Sequence, residues 1–510
     1  MHDRKYNGSG KSSNGEKMLP QNRWLVLAIV SSALFLVVID MTVLYTALPR
    51  LTRDLHASAS AKLWIVNAYP LVVAGLLPGA GALGDRIGNK KLFAGGLVVF
   101  GVASLAAAFS PTSGVLIASR ALLAVGAAMM MPATLSIVRQ TFADERERAF
   151  AIGIWAAIAS GGAAVGPVLG GVLLEYFWWG SVFLINVPIV VVALVFTLWI
   201  IPNRAGDKTR PWDLVASAQI MVGLVGVTYA IKEFGKQTPV YAAALVAAMI
   251  GIVFLWLFVR RQGRSAQPMI DFRLFRNRRF SSGVATAFIA SLTLVGMELV
   301  LSQRFQLVMG LSPLEAGLLI LPVPLAAFAA GPLAGLALPR LGSEPIMWVS
   351  LAAAGLGVAS LLYVHDARPL VQIASLAVLG FGFGAAMTAA SSAIMLNTPE
   401  ESAGTVASIE EVSYELGGAM GVALLGSLMS TIYSISLTLP DSMNAPVMVY
   451  DSLDEALIYA KGLAPDVASA LVGFARDAFE SAFTSVIVVA SATLILTATA
   501  IKLATRAGRS

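Results

Sequence analysis

Asp40, Arg120 and Glu298 are ionisable residues set inside long apolar stretches, and their positions along those stretches coincide. A charge at such a place costs at least about 2.5 to 3.5 kcal/mol in hydrocarbon unless it is paired or wet. Counted from the end of each stretch that is assigned below to the outer surface, Asp40 lies 6 residues in, Arg120 7 and Glu298 7. At about 1.5 Å per residue, all three reach one depth, about 10 Å below that surface. Asp40 and Arg120 can therefore pair, either as a fixed structural pair or as one that opens when Asp40 takes a proton. Glu298 has no basic residue within one turn of its own helix, and Met297, Phe288 and Phe305 stand near it in sequence. A carboxylate in an apolar, polarizable wall suits a lipophilic cation; the plainer alternative is a solvated glutamate facing a vestibule.

A second acidic group, Glu410, Glu411 and Glu415, lies toward the other surface, with Tyr414 among them. Glu411 and Glu415 share a helical face at i, i+4. A wet vestibule and a proton or cation relay both fit them. Gly162, Gly166, Gly170 and Gly171 let one helix approach another closely, which is packing enough to explain them. Pro167 among them removes a backbone hydrogen bond and kinks the helix, which suits a gate in the outer half.

What positions these residues is a series of fourteen apolar stretches of 19 to 30 residues, each long enough to cross a bilayer as a helix. The 510 residues are 57% hydrophobic and 13% charged, with a mean hydropathy of +0.79, so the solvent of this chain is mainly lipid. The expected fold class is an all-α membrane protein with 14 transmembrane helices in a 6 + 2 + 6 arrangement. An N-terminal tail, 1–23, precedes a six-helix bundle over 24–201; a connector with two inserted helices occupies 202–280; a second six-helix bundle fills 281–510. The sixth span is expected over 181–201, the seventh over 213–232, the eighth over 240–260, the tenth over 314–337 and the last over 481–503.

With the N-terminus inside, 25 Lys and Arg fall on inner segments and 8 on outer ones. The positive-inside rule then puts both termini in the cytoplasm and reads the tail as retained, with no signal peptide. The longest connection, 433–480, falls outside; Ser452-Leu453-Asp454-Glu455 opens a short helix there by a capping-box pattern, and the segment is read as a helical hairpin over the outer mouth. It carries seven acids against Lys461 and Arg476, which makes it either a solvated tether or mildly attractive to cations. The net charge of +6 is spread over span ends rather than gathered on a face, which argues against nucleic acid as a partner. Cysteine is absent and the three histidines lie outside the spans, so no metal site and no cofactor is expected.

Gly81, Arg86 and Gly88 recur 254 positions later as Gly335, Arg340 and Gly342, and the glycines of 162–171 are echoed by Gly417, Gly418, Gly421 and Gly426. Two similar bundles joined by a cytoplasmic connection are the layout of a carrier that rocks about a midplane site. The segment from Gly81 through Asp85, Arg86 and Gly88 to Lys91 resembles the loop signature of the major facilitator superfamily, and 162–171 is similar to the fifth-span motif of its drug and proton antiporters. Residues 39–49 and 183–188 resemble motifs of the fourteen-span branch, with Tyr45 where that branch usually has Asn. The resemblance covers the whole topology. It implies a monomeric multidrug efflux antiporter of the bacterial cytoplasmic membrane, in which quaternary ammonium compounds, methyl viologen and cationic dyes leave in exchange for protons, and it implies that Asp85 and Arg86 form an inner latch.

Energetics bounds the coupling. Exporting a dication against an interior-negative potential costs about 4.6 kcal/mol per 100 mV, whereas each returning proton yields about 2.3 plus about 1.4 per pH unit. Two titrating carboxylates are wanted, and Asp40 with Glu298 supply them. A facilitator of a neutral or lipid-like solute is the alternative within this fold. A membrane enzyme would need a polar catalytic cluster or a nucleotide motif, and the chain shows neither.

Overall fold

The computed structural model describes residues 22–507 apart from 143, 205, 207–212, 235–238, 266–267, 269, 271, 365–368, 397–402, 441–442 and 444. Apolar runs with no water to serve the backbone must satisfy it internally, and among the described residues every regular element is helical. The first bundle contains α1 (Asn22–Asp54), α2 (Ala59–Ile87), α3 (Asn89–Ala108), α4 (Ser113–Thr141), α5 (Glu145–Tyr176), α6 (Ser181–Leu184) and α7 (Asn186–Ile200). The inserted pair is α8 (Leu214–Phe234) and α9 (Tyr241–Arg264). The second bundle contains α10 (Arg278–Gln303), α11 (Pro313–Ile320), α12 (Pro322–Leu341), α13 (Ser343–Val364), α14 (Pro369–Leu396), α15 (Ala403–Ser436), α16 (Leu453–Ala460) and α17 (Pro465–Ala507). Thirteen spans among the described residues are long and apolar enough to cross a membrane; α5 is a helix of 32 residues whose fully described apolar part is Val165–Tyr176. The chain is a multi-pass membrane protein.

Several elements differ from the expected spans, each for a local reason. The sixth span is broken between α6 and α7, because Pro188 has no N–H to give the carbonyl four residues earlier. The tenth breaks at Leu321 for the same reason at Pro322 and Pro324. The last helix runs 43 residues, so its first four turns stand clear of the span expected to begin at 481. Those turns and α16 are the two arms of the hairpin. It is packed rather than tethered: Leu453, Ala456 and Ala460 join Tyr433 and Phe479 in one buried cluster, and Tyr433 Oη donates to Val449 O at 3.2 Å. Ser452 takes the N-cap position without its side chain capping the helix, so the capping box is not made.

The repeat is visible in backbone conformation. Gly88 ends α2 at φ +97° and Gly342 ends α12 at φ +77°, each giving its N–H back to the carbonyl four residues earlier. A side chain at either place would be strained. Gly162, Gly166 and Gly170 lay α5 against Phe35, Thr42 and Val43 of α1; Gly417 and Gly421 lay α15 against the backbone of α10 at Phe288 and Leu292. Between the bundles the symmetry continues. A β-carbon on Gly171 of α5 would stand 2.5 Å from Leu314 Cα of α11, and one on Gly426 of α15 would stand 2.7 Å from Leu63 Cδ2 of α2. Of the inserted pair, α8 packs on α2 and α15, flanking that interface, and α9 packs on α8.

Candidate functional site

The carboxylate of Asp40 is paired with the guanidinium of Arg120, and both side chains are buried, at 0% and 2% exposure. Asn186 Nδ2, brought in by the break between α6 and α7, donates to Asp40 Oδ1 at 3.1 Å and lies 3.3 Å from Ser104 Oγ. Arg120 also donates through Nε to Ile65 O at 3.4 Å, and its guanidinium carbon stands 4.6 Å from the centre of the Tyr69 ring. A charge pair with this many partners is held on every side, and losing one member would strand the other.

Two tyrosines lie within electrostatic reach of charges in both bundles. Tyr69 interacts electrostatically with Asp40 and Arg120 on its own side and with Glu415 and Glu411 of α15. Tyr45, the departure from the branch motif, interacts with Glu298 of α10, with Arg120 and with Glu415. Glu298 is partly exposed and makes no hydrogen bond or ion pair with a described residue. Glu415 is buried at 6% exposure and its Oε2 accepts no hydrogen bond. Glu410 is also buried, accepting from Tyr414 Oη at 3.1 Å, while the Tyr414 carbonyl accepts from Ser291 Oγ at 2.6 Å.

The expected residues therefore separate into two groups. Asp40, Arg120, Glu298, Glu411 and Glu415 all lie within electrostatic reach of Tyr45 or Tyr69, where the two bundles face each other. Met297 and Phe305 belong to the other group: at 1% and 3% exposure they sit in the hydrophobic core of the second bundle. Phe288 is half-buried where α15 crosses α10 at Gly417. Sequence reasoning gave no role to Tyr69, Tyr45, Asn186 or Ser104; their signal was a polar atom in an apolar stretch, which is weak beside a full charge. Arg304, just beyond the end of α10, pairs with Glu480 of α17 at 2.9 Å and lies over Phe483.

The gate residues lie at both ends. Gly171 and Pro167 of α5 meet α11 of the other bundle, at Leu314 and Gly317. Near the same end Ser302 Oγ donates to Tyr45 O at 2.9 Å, Gln306 Nε2 to Thr46 O at 3.1 Å, and the Lys62 ammonium to Asp454 and, at 3.0 Å, to Gln303 Oε1. At the opposite end, Gly81 lies 3.8 Å by its would-be β-carbon from Pro132, Arg86 is exposed, and the side chain of Asp85 lies outside what is described.

The sequence model of the Major Facilitator Superfamily matches residues 30–216 and 212–422. The chain is 43% identical over 460 residues, 90% of its length and 93% of the relative's, to the methyl viologen resistance protein SmvA of Salmonella typhimurium. It is 37% identical to the multidrug efflux pump LfrA of Mycolicibacterium smegmatis, over 94% of this chain and 96% of that one. Among solved structures, a bacterial homologue of the human lysosomal transporter Spinster, inward-facing and occupied, superposes with a TM-score of 0.64 at 15% identity, covering 96% of this chain and 98% of that one. At that identity the likeness speaks for the fold.

Proposed function

Because the chain belongs to the major facilitator superfamily, and so is a transporter and not an enzyme, we propose that it is a multidrug efflux pump that exports lipophilic organic cations in exchange for protons. The observation that carries this reading is the buried Asp40–Arg120 pair sharing the reach of Tyr45 and Tyr69 with Glu298, Glu411 and Glu415, where the two bundles face each other. Acids outnumber the base that serves them. Such a region is short of positive charge, which a cation or protons can supply by turns.

The charge bias of the loops assigns the termini to the cytoplasm, and the end held by Lys62, Ser302 and Gln306 is then the outer end, closed. In this state Asp40 holds Arg120 and the acids of α10 and α15 are free for a cation arriving from inside. Opening outward, one proton on Asp40 dissolves the ion pair and a second on Glu298 removes a negative partner of the cation, while the freed Arg120 turns its charge on Glu415, within whose field it already lies. The cation is expelled by that competition. Return inward releases both protons and restores the pair. Methyl viologen and quaternary ammonium compounds are the expected substrates, on the likeness to the methyl viologen resistance protein. The bacterial inner membrane is the expected location, and a monomer suffices.

Reconstitution tests this directly. Proteoliposomes with an imposed pH gradient should drive methyl viologen against its own gradient, and the cation should drive protons the other way. Transport that ignores collapse of both the pH difference and the voltage would overturn the exchange.

A further inference from the structure

The pair of Lys62 with Asp454 stands apart from the central site, and its surroundings have the chemistry of a cation pocket. Lys62 is 6% exposed at the outer start of α2, and Asp454 is 7% exposed in the first turn of α16. Beside them lies a cavity of about 30 Å³ lined by Lys62 itself, with Gln303, Met429, Tyr433, Asp451 and Phe479; Asp454 adjoins it through the Lys62 ammonium and is not itself in the wall. That is room for a water or two, not for an organic ion. Thioether, aromatic ring, amide oxygen and carboxylate are nevertheless the groups that hold an alkylated ammonium.

Asp454 is only half satisfied. Its Oδ2 takes the Lys62 ammonium, while its buried Oδ1 accepts no hydrogen bond. That oxygen is therefore available to a donor other than the lysine. The arrangement also breaks the symmetry of the fold. Leu63 against Gly426 has its counterpart in Leu314 against Gly171, yet α16 and the outer turns of α17 have no equivalent in the first bundle. The ammonium comes from one bundle and Asp454 from the other, and the cavity between them is lined by Lys62 and Leu63 on one side and by residues of the second bundle on the other. On the export reading, opening of the outer end draws α2, and Lys62 with it, away from α16.

We infer that the Asp454 pocket is an exit-side site for an organic ammonium, occupied by Lys62 while the outer end is closed and by the departing cation once it is open. The inference rests on the export reading above. Lys62 and the substrate exchange at one carboxylate, so the outer end recloses only after the cation has left, and the re-entering lysine keeps it from returning.

Lys62→Met and Asp454→Asn each break the same ion pair. A latch that only holds the bundles together responds to both in one direction; an exchange site responds in opposite directions. The measurement is binding of tetraphenylphosphonium added outside right-side-out proteoliposomes at pH 7. Lys62→Met should bind it about tenfold more tightly than the parent, Asp454→Asn should show no gain, and the double variant should fall back to the Asp454→Asn level. Lys62→Gln serves where Lys62→Met fails to fold, judged by binding from the cytoplasmic side on inside-out vesicles. Equal shifts for the two single variants, or no gain in either lysine variant, overturn the site. Failure of the export reading looks different: the parent protein itself would then carry no tetraphenylphosphonium under a pH gradient, whereas failure of the exit site leaves that transport intact.

Discussion

Arg120 meets Asp40 across 80 residues of sequence, with neither side chain open to solvent. The pair joins α4 to α1, and Asn186 and Tyr69 close the space around it. Removing one charge and keeping the other leaves an orphan, at a cost of about 3 kcal/mol or more. Asp40→Asn should therefore lower thermal stability and abolish uphill, proton-driven transport. Cation counterflow without a pH gradient should remain measurable, because Glu298, Glu411 and Glu415 are untouched. A variant that still pumps uphill removes Asp40 from coupling.

Two glycines of α5 five residues apart should fail in different ways. Gly166 faces Thr42 of α1 within one bundle, with Thr42 Cβ 2.9 Å from a would-be β-carbon. Gly166→Val should destabilise the fold by about 1 to 3 kcal/mol. Gly171 instead faces the backbone of α11 across the bundle interface. Gly171→Val should leave thermal stability close to the parent's while slowing transport severalfold, since the outer end can no longer close. Melting and uptake measured on the same preparations separate the two; the same loss of stability for both would deny α5 its gating part.

Burial raises the pKa of Glu455 in α16 above its ordinary 4.5, and the neighbouring Asp454 raises it further, with Lys62 and His56 opposing and Asp451 adding. An acid whose pKa is raised on docking favours the docked form where it is protonated. Docking of the hairpin is thus strongest at or below the ordinary value and weakens as pH rises through the raised one. Amide exchange of Leu453–Ala460 should speed up over that window beyond its intrinsic pH dependence. Glu455→Gln should flatten the excess; an unchanged profile assigns the effect to another group.

How far the sequence reached depended on what a helix fixes. Rise per residue sets depth, so Asp40 and Arg120 could be matched from their spans alone, whereas the breaks before prolines 188 and 322 fall inside spans that the sequence reads as continuous. Facing is another matter. Met297 adjoins Glu298 in sequence, but neighbours on a helix point about 100° apart, and Met297 turns into the core while Glu298 stays partly exposed. Lys62 and Asp454 lie 392 positions apart, and neither a span end nor a loop acid signals the other. The capping pattern at Ser452 located α16 correctly, although the hydrogen bonds that give the pattern its meaning are not made.

Glu298 tests whether charge itself is recognised. It has no hydrogen-bond or ion-pair partner among the described residues, and it shares the field of Tyr45 with Glu415. A dication such as methyl viologen needs two negative partners, and Glu298 on α10 with Glu415 on α15 offers one on each helix. A monocation is served by either. Glu298→Gln should then weaken methyl viologen transport by about tenfold or more, the equivalent of about 1.4 kcal/mol, while tetraphenylphosphonium loses little. The proton count falls as well, because one titrating group is gone. Measured reversal potentials in the variant should move toward one proton fewer per cycle for the monocation. Equal losses for both cations with an unchanged reversal potential would mean that Glu298 shapes the space without binding either ion, and would shift the second negative charge to Glu411.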